Sequence, residues 1–190
     1  MHPLLLPLAL ALDLAFRDAE PWPHPVRLLG RILERLEIWA RSQRRLSLRA
    51  SGVLCLLFLS LLTCAAAWFL TRIPLLGAVA SLYLIYSGIS LAGLLGEARR
   101  IADLADSDLM VDARRELGML VSRDTSALDR GGIYRTLAET VSENINDGYV
   151  APVFYLLLGG PVLLWLYKAV STMDSMWGYP TRQWAHLGWA

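Results

Sequence analysis

The chain has 190 residues, enough for one domain with a sizeable core. It is 55% hydrophobic and 18% charged, against about 25% charged in soluble domains, a surplus of apolar side chains that lipid can bury. A formal net charge of +1 excludes reading the whole chain as an electrostatic nucleic-acid binder.

Residues Pro3 to Leu12 form a short apolar run in which Ala9-Leu10-Ala11 mimics a signal-cleavage site. No Lys or Arg precedes the run and Asp13 follows it, so it reads as a short membrane-associated first helix. Between Asp18 and Val26, the prolines Pro21, Pro23 and Pro25 forbid regular helix and predict an extended loop. Leu28, Leu29, Ile32, Leu33, Leu36 and Trp39 then recur at helical spacing, with Arg31, Glu34, Arg35 and Arg41 elsewhere around the axis. This is an amphipathic helix that either lies on the membrane surface or packs on its own protein.

Ala50 to Leu70 carries no charge. At about 1.5 Å per residue it reaches roughly 31 Å, matching a hydrocarbon core of roughly 30 Å. Cys55 and Cys64 both fall within it and read as small hydrophobes, because their separation along the axis suits neither a mutual disulfide nor zinc. A turn at Thr71–Pro74 leads into a second uncharged run ending at Gly96, so the two runs predict a transmembrane hairpin. Arg31, Arg35, Arg41, Arg44, Arg45 and Arg49 precede the hairpin, Arg99 and Arg100 follow it, and only Arg72 marks its far end. By the positive-inside rule, both ends and the polar stretch beyond are cytoplasmic.

From Glu97 to Asp147 the period is helical and the faces are polar. Ile101, Leu104 and Ala105 mark one short helix, and Leu109, Ala113, Leu117, Leu120 and Val121 another, with Ser107 or Asp108 as its N-cap. Gly131-Gly132 is read as a break before a third helix, Ile133 to Asn146, and Gly148 as its end. The apolar stretch Val150 to Val170 is interrupted at Gly159-Gly160-Pro161, which allows one kinked span or a re-entrant pair. The expected fold is all-α: a polytopic helical membrane protein forming a single membrane domain over residues 1–190. Its parts are 1–49 (first helix, proline loop, amphipathic helix), 50–96 (transmembrane hairpin), 97–149 (cytoplasmic helices) and 150–190 (broken membrane helix and C-terminal motif).

Two places offer chemistry. Glu139, Glu143 and Asp147 recur at i, i+4 and i+8, where each like-charge pair costs about 0.2–0.5 kcal/mol unless a cation offsets it; Arg135 can offset only the first. With Asn144 and Asn146 close by and Asp124-Thr125 upstream, these are oxygen ligands of the kind Mg²⁺ and phosphate-bound waters take, or simply a solvated face. Lys168, the one lysine in the chain, either snorkels or presents a point charge to phosphate, and Asp174 and Ser175 follow one to two turns on. There is no Gly-x-x-x-x-Gly-Lys-Ser/Thr loop and no Gly-x-Gly-x-x-Gly fingerprint. His2, His24 and His186 have no partner at metal-ligand spacing.

Four stretches, in order, carry a resemblance: Pro23-His24-Pro25-Val26 with Gly30; Val121-Ser122-Arg123-Asp124-Thr125; Glu139 to Gly148 running into Ala151-Pro152-Val153-Phe154-Tyr155; and Tyr167-Lys168 with Thr172 to Tyr179. Together they resemble the membrane-bound adenosylcobinamide-phosphate synthases of cobalamin biosynthesis, whose pattern continues past the stretch matched here into Asp-Asp, Asn and Pro-Ala-Arg motifs. Arg17-Asp18-Ala19 stands where that family has Gly-Asp-Pro, and Ser171 where it has Asn. The resemblance implies ATP-dependent amide formation between adenosylcobyric acid and aminopropanol or its phosphate, with Mg²⁺ and with ATP as co-substrate. It implies Asp124, Glu139, Glu143, Asp147 and Asp174 as catalytic groups, with Glu143 and Asp147 holding the metal. It implies His24, Arg123, Thr125, Asn144, Lys168 and Ser175 as substrate or phosphate ligands. The expected surroundings are the inner membrane, with the site facing the cytoplasm, corrinoid and aminopropanol substrates, no nucleic acid, and other membrane-bound enzymes of cobalamin assembly as partners. Two other readings stand beside it: a non-catalytic membrane sensor or regulator of the AmpE type, and a transporter with a broken helix. The transporter would need more polar groups in the first span than Ser51, Ser60 and Thr63.

Overall fold

A computed structural model describes residues 4–16, 24–121 and 123–189. Among them every regular element is helical: α1 (Leu5–Phe16), α2 (Pro25–Ser42), α3 (Leu48–Arg72), α4 (Gly77–Gly88), α5 (Leu91–Asp106), α6 (Met110–Leu120), α7 (Arg130–Ile145) and α8 (Ala151–Trp177). A π-helical turn, Asn146–Val150, joins α7 to α8, and a 3-10 turn, Leu187–Trp189, ends the described chain. Three stretches are long and apolar enough to cross a membrane: Leu48–Arg72, Gly77–Asp106 and Arg130–Trp177. The protein is an all-α polytopic membrane protein.

Among the described residues helix α3 is the one unbroken span. Ser51, Cys55, Leu59, Thr63 and Ala67 recur every fourth residue and are all buried, so one narrow stripe of mostly small side chains faces the protein. Leu54, Leu57, Phe58, Leu61 and Phe69 remain exposed on the other faces, as a lipid-facing surface requires. Helix α2 packs on α3 and α8 with Leu29, Leu33 and Ala40 buried, while Leu28, Ile38 and Trp39 stay exposed on its outer face. The proline loop expected over Asp18–Val26 lies largely outside the described residues. Its last two positions are already helical, because Pro25 takes the first turn of α2, where the missing N–H costs nothing.

The second arm of the expected hairpin is not continuous. Helix α4 ends at Gly88 and α5 starts at Leu91, and the gap is closed by tertiary hydrogen bonds. Ser90 N–H donates to the Gly148 carbonyl at 2.9 Å, and Ala92 N–H donates to buried Asp13 of α1 at 2.9 Å. From there α5 leaves the membrane bundle and joins α6 and α7 around a second small core of Ile101, Ala105, Ala113, Leu117, Ile133 and Leu137. The main core belongs to α1–α4 and α8.

Three boundary expectations are corrected. Helix α6 is capped by neither Ser107 nor Asp108 but starts after Leu109, because Asp108 has a positive φ of 60° and its carboxylate pairs with Arg130. Gly131 and Gly132 do not break the chain; they lie in the first turn of α7, where Asp129 accepts from Gly132 N–H at 2.7 Å. Gly148 does not end α7 either, since the chain runs through the π turn into α8.

At Gly159 (φ −150°, ψ 24°) and Gly160 (φ 67°, ψ −161°) α8 loses helical geometry. The arms on either side, residues 151–158 and 161–177, fold back on each other: the Tyr155 and Tyr167 rings stack with centroids 5.1 Å apart. On a straight helix twelve residues would separate them by about 18 Å. The stretch is therefore the re-entrant pair, and the second arm locks against α4 where Trp165 Nε1 donates to the Leu84 carbonyl at 2.8 Å.

Candidate functional site

The fold-back brings the end of α7, the π turn and the second arm of α8 to one place. Two adjoining cavities open there. The larger, about 780 Å³, is lined by Ser90, Gly93 and Glu97 of the α4–α5 corner and α5, by Asn144 and Asp147, and by Lys168 and Ser175 of α8. The smaller, about 380 Å³, is lined by Arg123, Glu143, Asn144, Asp147, Asp174 and Ser175. Leu120, Asn144, Asp147 and Ser175 belong to both, so they form the shared wall.

The expected even stripe of acids is altered by the π turn, which abandons α-helical spacing after Ile145. Glu139 is offset not by Arg135 but by Arg123, 3.0 Å away. Glu143 enters the smaller cavity. Asp147 turns toward α8, where its Oδ1 accepts from Tyr167 Oη at 2.9 Å and from Asn146 Nδ2 at 2.9 Å. On α8, the Ser175 hydroxyl donates to the Ser171 carbonyl at 2.9 Å, which fixes it at the wall.

Four expected residues lie elsewhere. His24 caps α2, its Nδ1 accepting from Val26 N–H at 3.3 Å, and it lines a separate apolar cavity of about 430 Å³ with Leu12, Phe16, Val79 and Tyr83. Thr125 is buried and donates its hydroxyl to the Arg114 carbonyl at 2.8 Å. Asp124 is exposed and accepts from Ser126 N–H at 2.9 Å, a bond that holds its carboxyl below the usual carboxylate range. Glu139 meets the site only through Arg123.

Conversely, the larger cavity includes Glu97 and Arg100, which along the sequence are charges flanking a span. Ser90, Gly93, Glu97 and Arg100 recur at i, i+3, i+7 and i+10, a small and polar face starting inside an apolar run. That spacing was the available signal. Arg100 also reaches Glu116 at 3.1 Å, which ties the cavity to the α5–α7 layer.

The resemblance implies Mg²⁺ at this site. Among the described residues no three His, Cys, Asp or Glu side chains cluster as a ready-made cage. Mg²⁺ does not need one, because it is commonly held by one or two carboxylates together with substrate phosphates and waters. Glu143 and Asp147, with the Asn144 amide, fit that requirement on one cavity wall.

A family model described as CobD/Cbib protein matches residues 6–190. The cobalamin biosynthesis protein CobD of Geobacter metallireducens is 40% identical over 189 residues, covering 96% of this chain and 58% of that protein. The protein of the same name from Pelobacter propionicus is 39% identical over 193 residues, covering 99% and 59%. That from Clostridium perfringens is 36% identical over 182 residues, covering 93% and 58%. The chain thus spans less than two thirds of the length of these relatives. No solved structure matches it.

Proposed function

The chain belongs to the CobD/CbiB protein family, and from that premise we propose that it serves cobalamin biosynthesis by forming an amide between adenosylcobyric acid and aminopropanol or its phosphate. The observation that carries this reading is the paired cavity, whose shared wall holds a carboxylate, an amide and a hydroxyl between one chamber with three acids and one with Lys168.

A carboxylate does not condense with an amine at neutral pH unless it is activated. ATP supplies that activation when its γ-phosphoryl passes to the carboxylate oxygen, giving an acyl phosphate and ADP; the amine then attacks the carbonyl and phosphate leaves. Mg²⁺, when bound, neutralises phosphate charge during the transfer. In this reading Glu143, Asn144 and Asp147 hold the metal–nucleotide in the smaller chamber, while Lys168 and Arg123 hold phosphate oxygens and Ser175 and Asp174 orient the reacting ends. The larger chamber has both apolar and polar walls, including Val26, Leu94 and Met176, and suits a bulky amphiphilic acid. The site sits at the same end as the α5–α7 layer, which the arginine distribution assigns to the cytoplasm of the inner membrane, where ATP is found.

The test is reconstitution in lipid with adenosylcobyric acid, aminopropanol phosphate and Mg–ATP, followed by mass detection of the amide. Product formation supports the synthase reading for this length of chain. No product, together with equal Mg–ATP affinity in wild type and Glu143→Gln, overturns it and favours a non-catalytic membrane regulator.

A further inference from the structure

We infer that Tyr167 is a positioning residue for Asp147, an inference that rests on the metal–nucleotide reading of the smaller cavity. Two donors, Tyr167 Oη and Asn146 Nδ2, both meet Asp147 Oδ1 at 2.9 Å, which leaves Oδ2 as the oxygen available to a ligand. The tyrosine is itself held, its ring stacking on Tyr155 from the other arm of the hairpin with the planes 19° apart. The Asp147 carboxylate is thereby fixed by a side chain that lines neither cavity. Because Tyr155 and Tyr167 lie on opposite arms, the fold-back at Gly159-Gly160 is what aims this carboxylate at the shared wall.

Residues that orient a metal-binding carboxylate typically change metal affinity by about tenfold to a hundredfold when removed. Tyr167→Phe keeps the ring and its stacking and removes only the oxygen, so it isolates the hydrogen bond. The measurement is ATP affinity of the whole chain in detergent, with Mn²⁺ and without metal, for wild type, Tyr167→Phe, Asp147→Asn and the double variant. The expected result is an affinity at least roughly tenfold weaker for Tyr167→Phe with Mn²⁺, and unchanged affinity without metal. In the Asp147→Asn background the same substitution is then nearly silent, as for two groups acting through one bond. Metal-dependent binding in wild type that Tyr167→Phe leaves intact overturns the positioning role alone. A loss that is equal without metal, or that persists in the Asp147→Asn background, overturns it too, since a merely loosened hairpin would behave that way. Wild type that binds ATP no better with Mn²⁺ than without overturns the reading of the cavity and this inference with it.

Discussion

The buried carboxylate of Asp13 accepts a hydrogen bond from the backbone N–H of Ala92, 2.9 Å away and 79 residues further along the chain. This is an N-cap supplied in trans: Ser90, at the cap position of α5, makes no side-chain cap bond, and the first helix of the protein does the work instead. Asp13→Ala should therefore cost about 1–3 kcal/mol, because it leaves a buried N–H without its acceptor. Asp13→Asn should cost less, since an amide oxygen still accepts. Thermal unfolding in detergent checks both; an Ala variant as stable as wild type would show that the cap is idle.

Gly160 makes the turn on which the site depends. Its φ of 67° with ψ of −161° falls in a region that only glycine occupies without strain. Gly160→Ala should destabilise the protein by about 1–3 kcal/mol although a Cβ there meets nothing within 4 Å. At Gly88 φ is unremarkable, but a Cβ would overlap the end of the Leu164 side chain, so Gly88→Ala should destabilise by crowding and Leu164→Ala should relieve that part of the cost. Stability measured for Gly88→Ala, Leu164→Ala and the pair distinguishes crowding from strain.

Leu75 offers a gain. It lies in the turn between α3 and α4 with a φ of 65°, conformationally costly for a side chain, and it is 99% exposed, so it packs against nothing. Leu75→Gly should stabilise the protein by about 0.5–1 kcal/mol, the left-handed penalty relieved less the extra entropy glycine loses on folding. A lowered melting temperature would contradict the assignment of strain to this turn.

What could be read from the sequence was whatever shows in a local window. Twenty-one uncharged residues from Ala50 to Leu70 announce α3, but not which face turns inward, because small side chains such as Ser60, Ala65 and Ala66 also lie off the buried stripe. The break at Gly88–Ser90 does not show that way, because Ile89 and Ser90 are as uncharged as their neighbours. Its backbone groups are satisfied by Asp13 and Gly148, both remote in sequence. Gly159-Gly160-Pro161 signals an interruption, but the choice between a kink and a reversal is made by contacts across it, such as Tyr155 on Tyr167. The same limit applies to the site. Glu143, Asn144, Asp147, Asp174 and Ser175 were nominated from motifs and spacing, and they share a cavity. His24 and Thr125 occur in the same motifs but are used by the backbone, as a cap and as a buried bond to Arg114. Motif membership does not separate a residue that shapes the chain from one that faces the cavity.

The proposed chemistry makes its sharpest claim at Glu143. This carboxylate lines the smaller cavity and has no ion-pair partner among the described residues, unlike Glu139, which Arg123 already neutralises. An unneutralised acid beside a phosphate site repels the nucleotide unless a cation stands between them, so its contribution should change sign with metal. Glu143→Gln is therefore expected to weaken ATP binding roughly tenfold when Mg²⁺ is present, a loss of about 1.4 kcal/mol, and to leave it unchanged or slightly tighter when Mg²⁺ is chelated. Glu34→Gln is the matched control: it removes the same charge from an exposed position on α2, outside both cavities, and should alter neither condition. Titration of ATP against wild type and each variant in lipid nanodiscs, with Mg²⁺ and with chelator, gives the six affinities needed. If Glu143→Gln and Glu34→Gln behave alike, the acids of the smaller cavity are a solvated surface. If Glu143→Gln loses binding equally in both conditions, the residue supports the fold of the cavity and does not meet a metal.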